Sequence, residues 1–380
     1  MLDSTFRLGK VLGIEVGINI SLIFVAVLLL LTFGGSDNAY FPSRFPDLAA
    51  PIIWTLSIVM ALGFFGSILW HEFAHSLMAL YYGIPVARIV LFIFGGIAEI
   101  EEEARNAAQE FWITLVGPLS SALLGGLCFV GAILLGWGTP VGAMFGWLGQ
   151  INIALALFNM IPAFPLDGGR VLRAVLWWGT RDYLRATTIA VGGGKLFAVG
   201  FILLGLLDFL NTGDLFSSLW LGFIGWFLWH FSRGQMAFSR LQHALRGISV
   251  GHALRKHIKL DPDWSIIYAL DVMSIQGPTR VASVVYNNQT VGIFALDAAL
   301  HVPRLNWGQT RVRDLMRSVV GVPSLHPDTD VLNALRRMER DDIDYMLVDD
   351  GRETLGVIGR GELLRLAEQQ QRTQQLVPGA

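Results

Sequence analysis

Residues 69–79 read LWHEFAHSLMA, which places two histidines and a glutamate inside a run that is otherwise uncharged from Pro51 to Tyr82. A run of that length crosses a bilayer, since a span needs roughly 20 mostly apolar residues. Each ionisable group at mid-membrane costs on the order of 2.5–3.5 kcal/mol, so three in one span call for compensation. His71 and His75 stand four apart, project from one face of a helix and can share one metal ion. Glu72 lies about 100° around the helix from His71, within reach of a water at that ion without being a ligand. This is the division of labour in H-E-x-x-H, where the metal acidifies water to a pKa of roughly 7 and the glutamate takes the proton. The plainer reading is two histidines hydrogen-bonded to other spans.

The rest of the chain agrees with a membrane setting. Of its 380 residues 53% are hydrophobic and 15% charged, and the mean hydropathy is +0.53, far from a soluble average. Residues 1–232 hold 24 Asp, Glu, Lys and Arg against 34 in the last 148, which marks a membrane domain, 1–232, a linker, 233–246, and a soluble domain, 247–380. The net charge of −2 gives no sign of nucleic acid as a partner, and the single cysteine, Cys128, excludes an internal disulfide. The N-terminal apolar run reads as a retained anchor rather than a signal peptide.

Six candidate spans cover about 11–33, 52–83, 108–137, 142–163, 186–210 and 216–232. Between the second and third lies PVARIVLFIFGGIAEIEEEA, 85–104, which is β-branched and aromatic around Gly95 and Gly96 and reads as a re-entrant hairpin. Extended backbone survives at membrane depth only where protein or water satisfies it. Positive residues gather on one side, from Arg7 and Lys10 to Arg233, Arg240 and Arg246, against Arg44 alone in the outer loops. Both termini and the soluble domain are then cytoplasmic, and the protein is a multi-pass cell-membrane protein. Lys195 inside the fifth span is the exception, read as facing the bundle interior.

A catalytic zinc site takes three protein ligands, so one is missing from the second span. The candidates are Asp167, Glu99, Glu101, Asp208 and His230. Glu99 and the acidic run 101–103 read as a solvated face, while His230 and Asp208 read as lying near membrane boundaries. Asp167 stands in FNMIPAFPLDGGRVLRA, 158–174, where Pro162 and Pro165 break the fourth helix and Gly168 and Gly169 permit close approach. Its plainer role is the N-cap of the next helix. The second and fourth spans run in the same direction, and His75 and Asp167 both fall in their inner halves, so the two can meet.

The soluble part repeats itself: LDPDWSIIYALDVM, 260–273, aligns with LHPDTDVLNALRRM, 325–338, at an offset of 65. Here the chain resembles a tandem pair of cystathionine-beta-synthase (CBS) domains, with repeats about 247–305 and 311–367. That resemblance implies an α+β regulatory module that senses an adenine nucleotide or pairs two chains. The Thr or Ser and Asp of the family's ligand pattern correspond to Gly359 and Glu362 in the second unit and to Ala295 and Ala298 in the first. Nucleotide binding therefore stands open beside a purely structural or dimerising role.

The membrane part resembles the site-2 protease family of intramembrane zinc metalloproteases. HEFAH, 71–75, corresponds to the first family motif and NMIPAFPLDGG, 159–169, to the second, with VGP at 116–118 and FGG at 94–96 also in place. The implied fold is a polytopic α-helical membrane protein of about six transmembrane helices plus a re-entrant β hairpin, followed by the CBS pair. The implied activity is hydrolysis of peptide bonds in single-span membrane proteins. By resemblance His71, His75 and Asp167 bind one Zn2+, Glu72 is the general base, and Asn159 steadies the substrate or its oxyanion. Asn152 reads as an interhelical hydrogen bond. The rival from another class is a CBS-regulated zinc or cation transporter, which needs no general base.

Overall fold

The computed structural model describes residues 5–93, 95–100, 103–245, 247–254, 258–276, 280–287, 289–351 and 353–366. The chain divides into two compact units, Met1–Met236 and Ala237–Ala380.

The first unit begins with strands β1 (Thr5–Val11) and β2 (Ile14–Asn19), then helices α1 (Leu22–Gly34), α2 (Tyr40–Arg44) and α3 (Ala50–Tyr81). Strands β3 (Val86–Phe92) and β4 (Gly95–Ile100) follow, then helices α4 (Ala107–Leu135), α5 (Pro140–Asn159), α6 (Asp167–Thr180) and α7 (Tyr183–Thr212), and α8 (Leu215–Leu245) belongs to this unit as far as Met236. Five of these, α3, α4, α5, α7 and the part of α8 up to Met236, are long and apolar enough to cross a membrane. Local chemistry sets their starts. The Asn106 side chain accepts from the Gln109 N–H at 2.9 Å, Thr139 from Gly142 at 3.0 Å and Asp182 from Arg185 at 3.0 Å, each satisfying a donor that a helix start leaves unpaired.

One expectation changes here. The first span, expected at about 11–33, is strand and turn up to Ser21, and α1 has only 13 residues, about 20 Å of helix. The apolar run did not reveal that its first third pairs as a strand. The hairpin read in 85–104 is present as β3 and β4, and β1 and β2 extend it: the sheet order is β1-β2-β3-β4, with β2 parallel to β3 and the other pairs antiparallel. β4 thus forms one edge of a four-stranded sheet. Behind α1 and α2, Phe33 and Phe41 pack with Met60 of α3, Cys128 of α4 and Met144 of α5 in one buried cluster. The expected linker at 233–246 is helical through Leu245.

The second unit shows the repeat as two copies of one pattern. The first copy comprises α9 (Val250–Ala253), β5 (Lys259–Leu260), α10 (Ile266–Gln276), β6 (Val281–Tyr286), β7 (Gln289–Ala295) and α11 (Leu296–Leu300). The second comprises α12 (Val312–Leu315), β8 (Arg317–Ser318), β9 (Ser324–Leu325), α13 (Val331–Arg340), β10 (Tyr345–Asp349) and β11 (Thr354–Gly359). In each copy a short strand runs parallel to the first strand of an antiparallel hairpin, β5 to β6 and β9 to β10. In each copy the longer helix buries one face against its own hairpin: Ile266 and Met273 on Val284 and Phe294, and Val331 and Met338 on Met346 and Ile358.

Candidate active site

The paired histidines sit on α3, both buried, at 4% and 5% exposure. Their Nε2 atoms lie 3.1 Å apart, and Asp167 Oδ2 lies 3.1 Å from that of His71 and 3.2 Å from that of His75. His71 stands 12 residues before Gly83, about 18 Å along the helix, so the cluster is sunk well inside the bundle.

The opposite ring nitrogens are already engaged. His75 Nδ1 donates to the Ile113 carbonyl at 2.7 Å, and His71 Nδ1 is 2.9 Å from Ser121 Oγ. A carbonyl can only accept, so the proton of a neutral His75 belongs on Nδ1 and its Nε2 lone pair faces the cluster. With Ser121 Oγ accepting from His71 Nδ1 as well, two imidazole lone pairs and a carboxylate oxygen converge on one point, an arrangement that a bound cation relieves. A tetrahedral zinc with bonds of about 2.0–2.1 Å has ligand-to-ligand edges of about 3.3 Å, close to the triangle found. The donor set and its outer hydrogen bonds fit zinc. Among the described residues this is the group of His, Cys, Asp or Glu assembled closely enough to hold an ion.

Helix α4 makes this approach possible. Pro118 lies inside it and provides no N–H for the Thr114 carbonyl one turn back, and the neighbouring Ile113 carbonyl accepts from His75 Nδ1. At Gly117 any Cβ would overlap the His75 ring. At Gly96 in β4 any Cβ would overlap the Glu72 side chain, so the sheet edge lies directly against the glutamate. The Glu72 carboxylate makes no hydrogen bond among the described residues, which leaves it available to a water or a substrate.

Asp167 reaches the cluster by an unexpected route. It is the first residue of α6, not its N-cap; the N-cap is Leu166, with no side-chain capping bond. Its carboxylate goes to the histidines instead. The turn before it is tight: at Gly168 a Cβ would overlap the Met160 and Ile161 backbone.

The other ligand candidates lie elsewhere. Glu99 pairs with Arg88 across β3 and β4 at 2.8 and 2.9 Å, Asp208 accepts from Ser218 Oγ at 3.2 Å, and His230 stacks on Trp226 with centroids 5.6 Å apart. Glu101 falls outside the described residues, as does Phe94 of the FGG motif. Asn159 ends α5, half-buried, and its side chain makes no hydrogen bond among the described residues. Asn152 donates to Ser67 Oγ at 2.8 Å, an interhelical bond between α5 and α3. Lys195 is half-buried, 5.8 Å from the Trp229 ring centre.

Sequence reasoning passed over two residues near the site, Glu110 of α4 and Arg173 of α6, which form a buried ion pair. The signal was an acid in the first turn of an otherwise apolar span.

In the second unit the positions Ala295, Ala298, Gly359 and Glu362 line one cavity of about 550 Å³ together with Arg280 and Arg360. Glu362 accepts from the Gly359 N–H at 3.2 Å, and burial pushes its carboxyl above the usual carboxylate range.

The family model of Peptidase family M50 matches residues 59–140 and 136–203, and that of the CBS domain matches 312–368. The Synechocystis sp. protein sll0528, a candidate zinc metalloprotease by name, is 30% identical over 372 residues, covering 96% of each chain. Zinc metalloprotease MJ0392 of Methanocaldococcus jannaschii is 27% identical over 366 residues, again covering 96% of each. The solved site-2 protease from Methanocaldococcus jannaschii is 28% identical, with a TM-score of 0.43 over 61% of this chain and 95% of that one.

Proposed function

The chain belongs to peptidase family M50, and from that membership and the geometry of its buried cluster we propose an intramembrane zinc metalloprotease that hydrolyses peptide bonds of single-span membrane proteins. The observation that supports this most is the convergence of His71 Nε2, His75 Nε2 and Asp167 Oδ2, with both Nδ1 atoms held from behind.

In this reading His71, His75 and Asp167 hold the ion and Glu72 is the general base. Bound zinc supplies Lewis acidity to the scissile carbonyl and makes water acidic enough to attack near neutral pH. Glu72 accepts the proton as the new C–O bond forms, then hands it to the leaving amine as the C–N bond breaks. Asn159 offers an amide N–H to the developing oxyanion. A helical substrate hides its carbonyls and must unwind before it can be cut. The β4 edge beside Glu72 offers backbone groups to hold the unwound stretch as an added strand. The transporter alternative is not favoured, because it leaves Glu72 without a task.

The finer topology in this proposal has α1 as a sixth membrane segment, both termini inside and residues 247–380 as a cytoplasmic regulatory pair after a 233–246 connector. Adenine nucleotide at the 550 Å³ cavity, or pairing of two copies, is the proposed input. Protease added to inside-out vesicles should release 247–380 and leave 1–232 in the membrane. The trimmed protein should still cleave but no longer respond to adenine nucleotide; protection of that segment, or an unchanged response, contradicts the assignment.

The direct test of the activity is metal analysis of purified protein beside cleavage of a single-span substrate in proteoliposomes. About one zinc per chain is expected, with cleavage lost on chelation and regained when zinc is added back. Cleavage indifferent to chelation excludes the reading.

A further inference from the structure

The ion pair between Glu110 and Arg173 has no part in the proposed chemistry, yet it is among the most deeply buried charge in the first unit. Glu110 is 2% exposed and Arg173 4%. Arg173 Nε donates to Glu110 Oε1 at 2.8 Å, and Nη2 donates to the same oxygen. The guanidinium also lies 5.2 Å from the Phe164 ring centre, in the loop before α6, and 4.9 Å from that of Tyr183 at the start of α7. One side chain therefore joins four elements: α4, the α5–α6 loop, α6 and α7.

Stability alone accounts poorly for such a pair. Removing two charges from water costs several kcal/mol per ion, and apolar residues of the same volume often serve a fold equally well. What an ion pair adds over apolar packing is direction. Helix α4 holds the two imidazoles, through the Ile113 carbonyl and Ser121 Oγ, while α6 brings Asp167 from the other side. Arg173 lies six residues after Asp167 on α6, about 9 Å along its axis, and Glu110 lies one turn from Ile113 on α4. The bond between them thus ties a point on the carboxylate-bearing helix to a point on the histidine-holding helix. A rotation of 20° moves an atom about 5 Å from the axis by roughly 2 Å, whereas metal ligands hold their distances within about 0.2 Å.

We propose that the Glu110–Arg173 pair is a positioning device that sets the rotation of α6 on α4 and so holds Asp167 against the two imidazoles. The proposal rests on the zinc reading above and extends it to two residues outside the ligand set.

The test measures zinc affinity by chelator competition on the full-length protein. Glu110→Gln keeps the shape and removes the charge. Since it also strands a buried guanidinium, a second variant combines Glu110→Leu with Arg173→Met, which fills the volume without an unpaired ion. Both should lose 10–100-fold in zinc affinity, the range seen when groups behind a ligand are removed. The double variant should unfold at nearly the wild-type temperature. In an Asp167→Asn background the same changes should have less than about a 2-fold further effect, because two changes acting through one ligand do not add. Unchanged zinc affinity in folded variants overturns the proposal, as does an equal loss in the Asp167→Asn background. Failure of the double variant to fold also overturns it, in favour of a purely structural role. A wild-type chain that binds no zinc overturns the metal reading itself, and this proposal with it.

Discussion

Glu72→Gln should lower the cleavage rate by about 10²–10⁴-fold, the usual contribution of a positioned general base, while the protein still purifies with its zinc. The dissociation of the two readouts comes from the geometry. Glu72 shares α3 with both histidines, but its carboxylate is outside the triangle of ligand atoms and packs on Gly96 of the sheet edge. Gln keeps that packing, since only an oxygen becomes a nitrogen, and it cannot take up a proton near neutral pH. Zinc measured by mass spectrometry and cleavage measured on one preparation decide the point. Loss of zinc together with activity would make Glu72 a ligand or a structural group; retained activity would remove it from the chemistry.

Asp167→Ala should weaken zinc binding by about 10²–10³-fold, taking the roughly 10–16 kcal/mol of a four-ligand zinc site as shared among its ligands. Cleavage should fall with it. The competing account, a helix cap, makes the opposite forecast: a stability loss of about 0.5–2 kcal/mol with zinc retained. In the structure the N-cap of α6 is Leu166, with no side-chain bond, and the Asp167 oxygen lies 3.1–3.2 Å from both Nε2 atoms, which favours the first forecast. Chelator titration and thermal unfolding of the same variant give both numbers.

Much of this was legible along the chain because its strongest signals are local. Apolar runs of 20 residues announce their helices, and an i, i+4 pair of histidines needs only a helix to become a binding face. The match of 260–273 to 325–338 likewise announced the doubled pattern now visible in β5–β7 and β9–β11. What failed was arbitration between periods. The stretch IEVGIN, Ile14–Asn19, runs straight into the apolar α1, and hydropathy does not reveal where a strand ends and a helix begins. Its partner β3 lies some 70 residues away, and a parallel pairing over that separation leaves no mark in either segment. The same holds for Glu110 and Arg173, 63 positions apart: each looks like an ordinary charge near a span end until the fold joins them. Asp167 was singled out because several cues met at once, two prolines, two glycines and a depth matching His75. Even so, the role expected of it locally was the one it does not have.

The contact at Gly117 has a further consequence for how a substrate gets in. With His75 lying against bare backbone and bonded to the Ile113 carbonyl, any breathing that parted α3 from α4 would pull the His75 imidazole away from His71 and Asp167. In the proposed reading those two helices travel together. The moving part is then sought on the other flank, where β4 meets α3 over Gly96, and a staple placed across that seam should starve the centre without disturbing its metal.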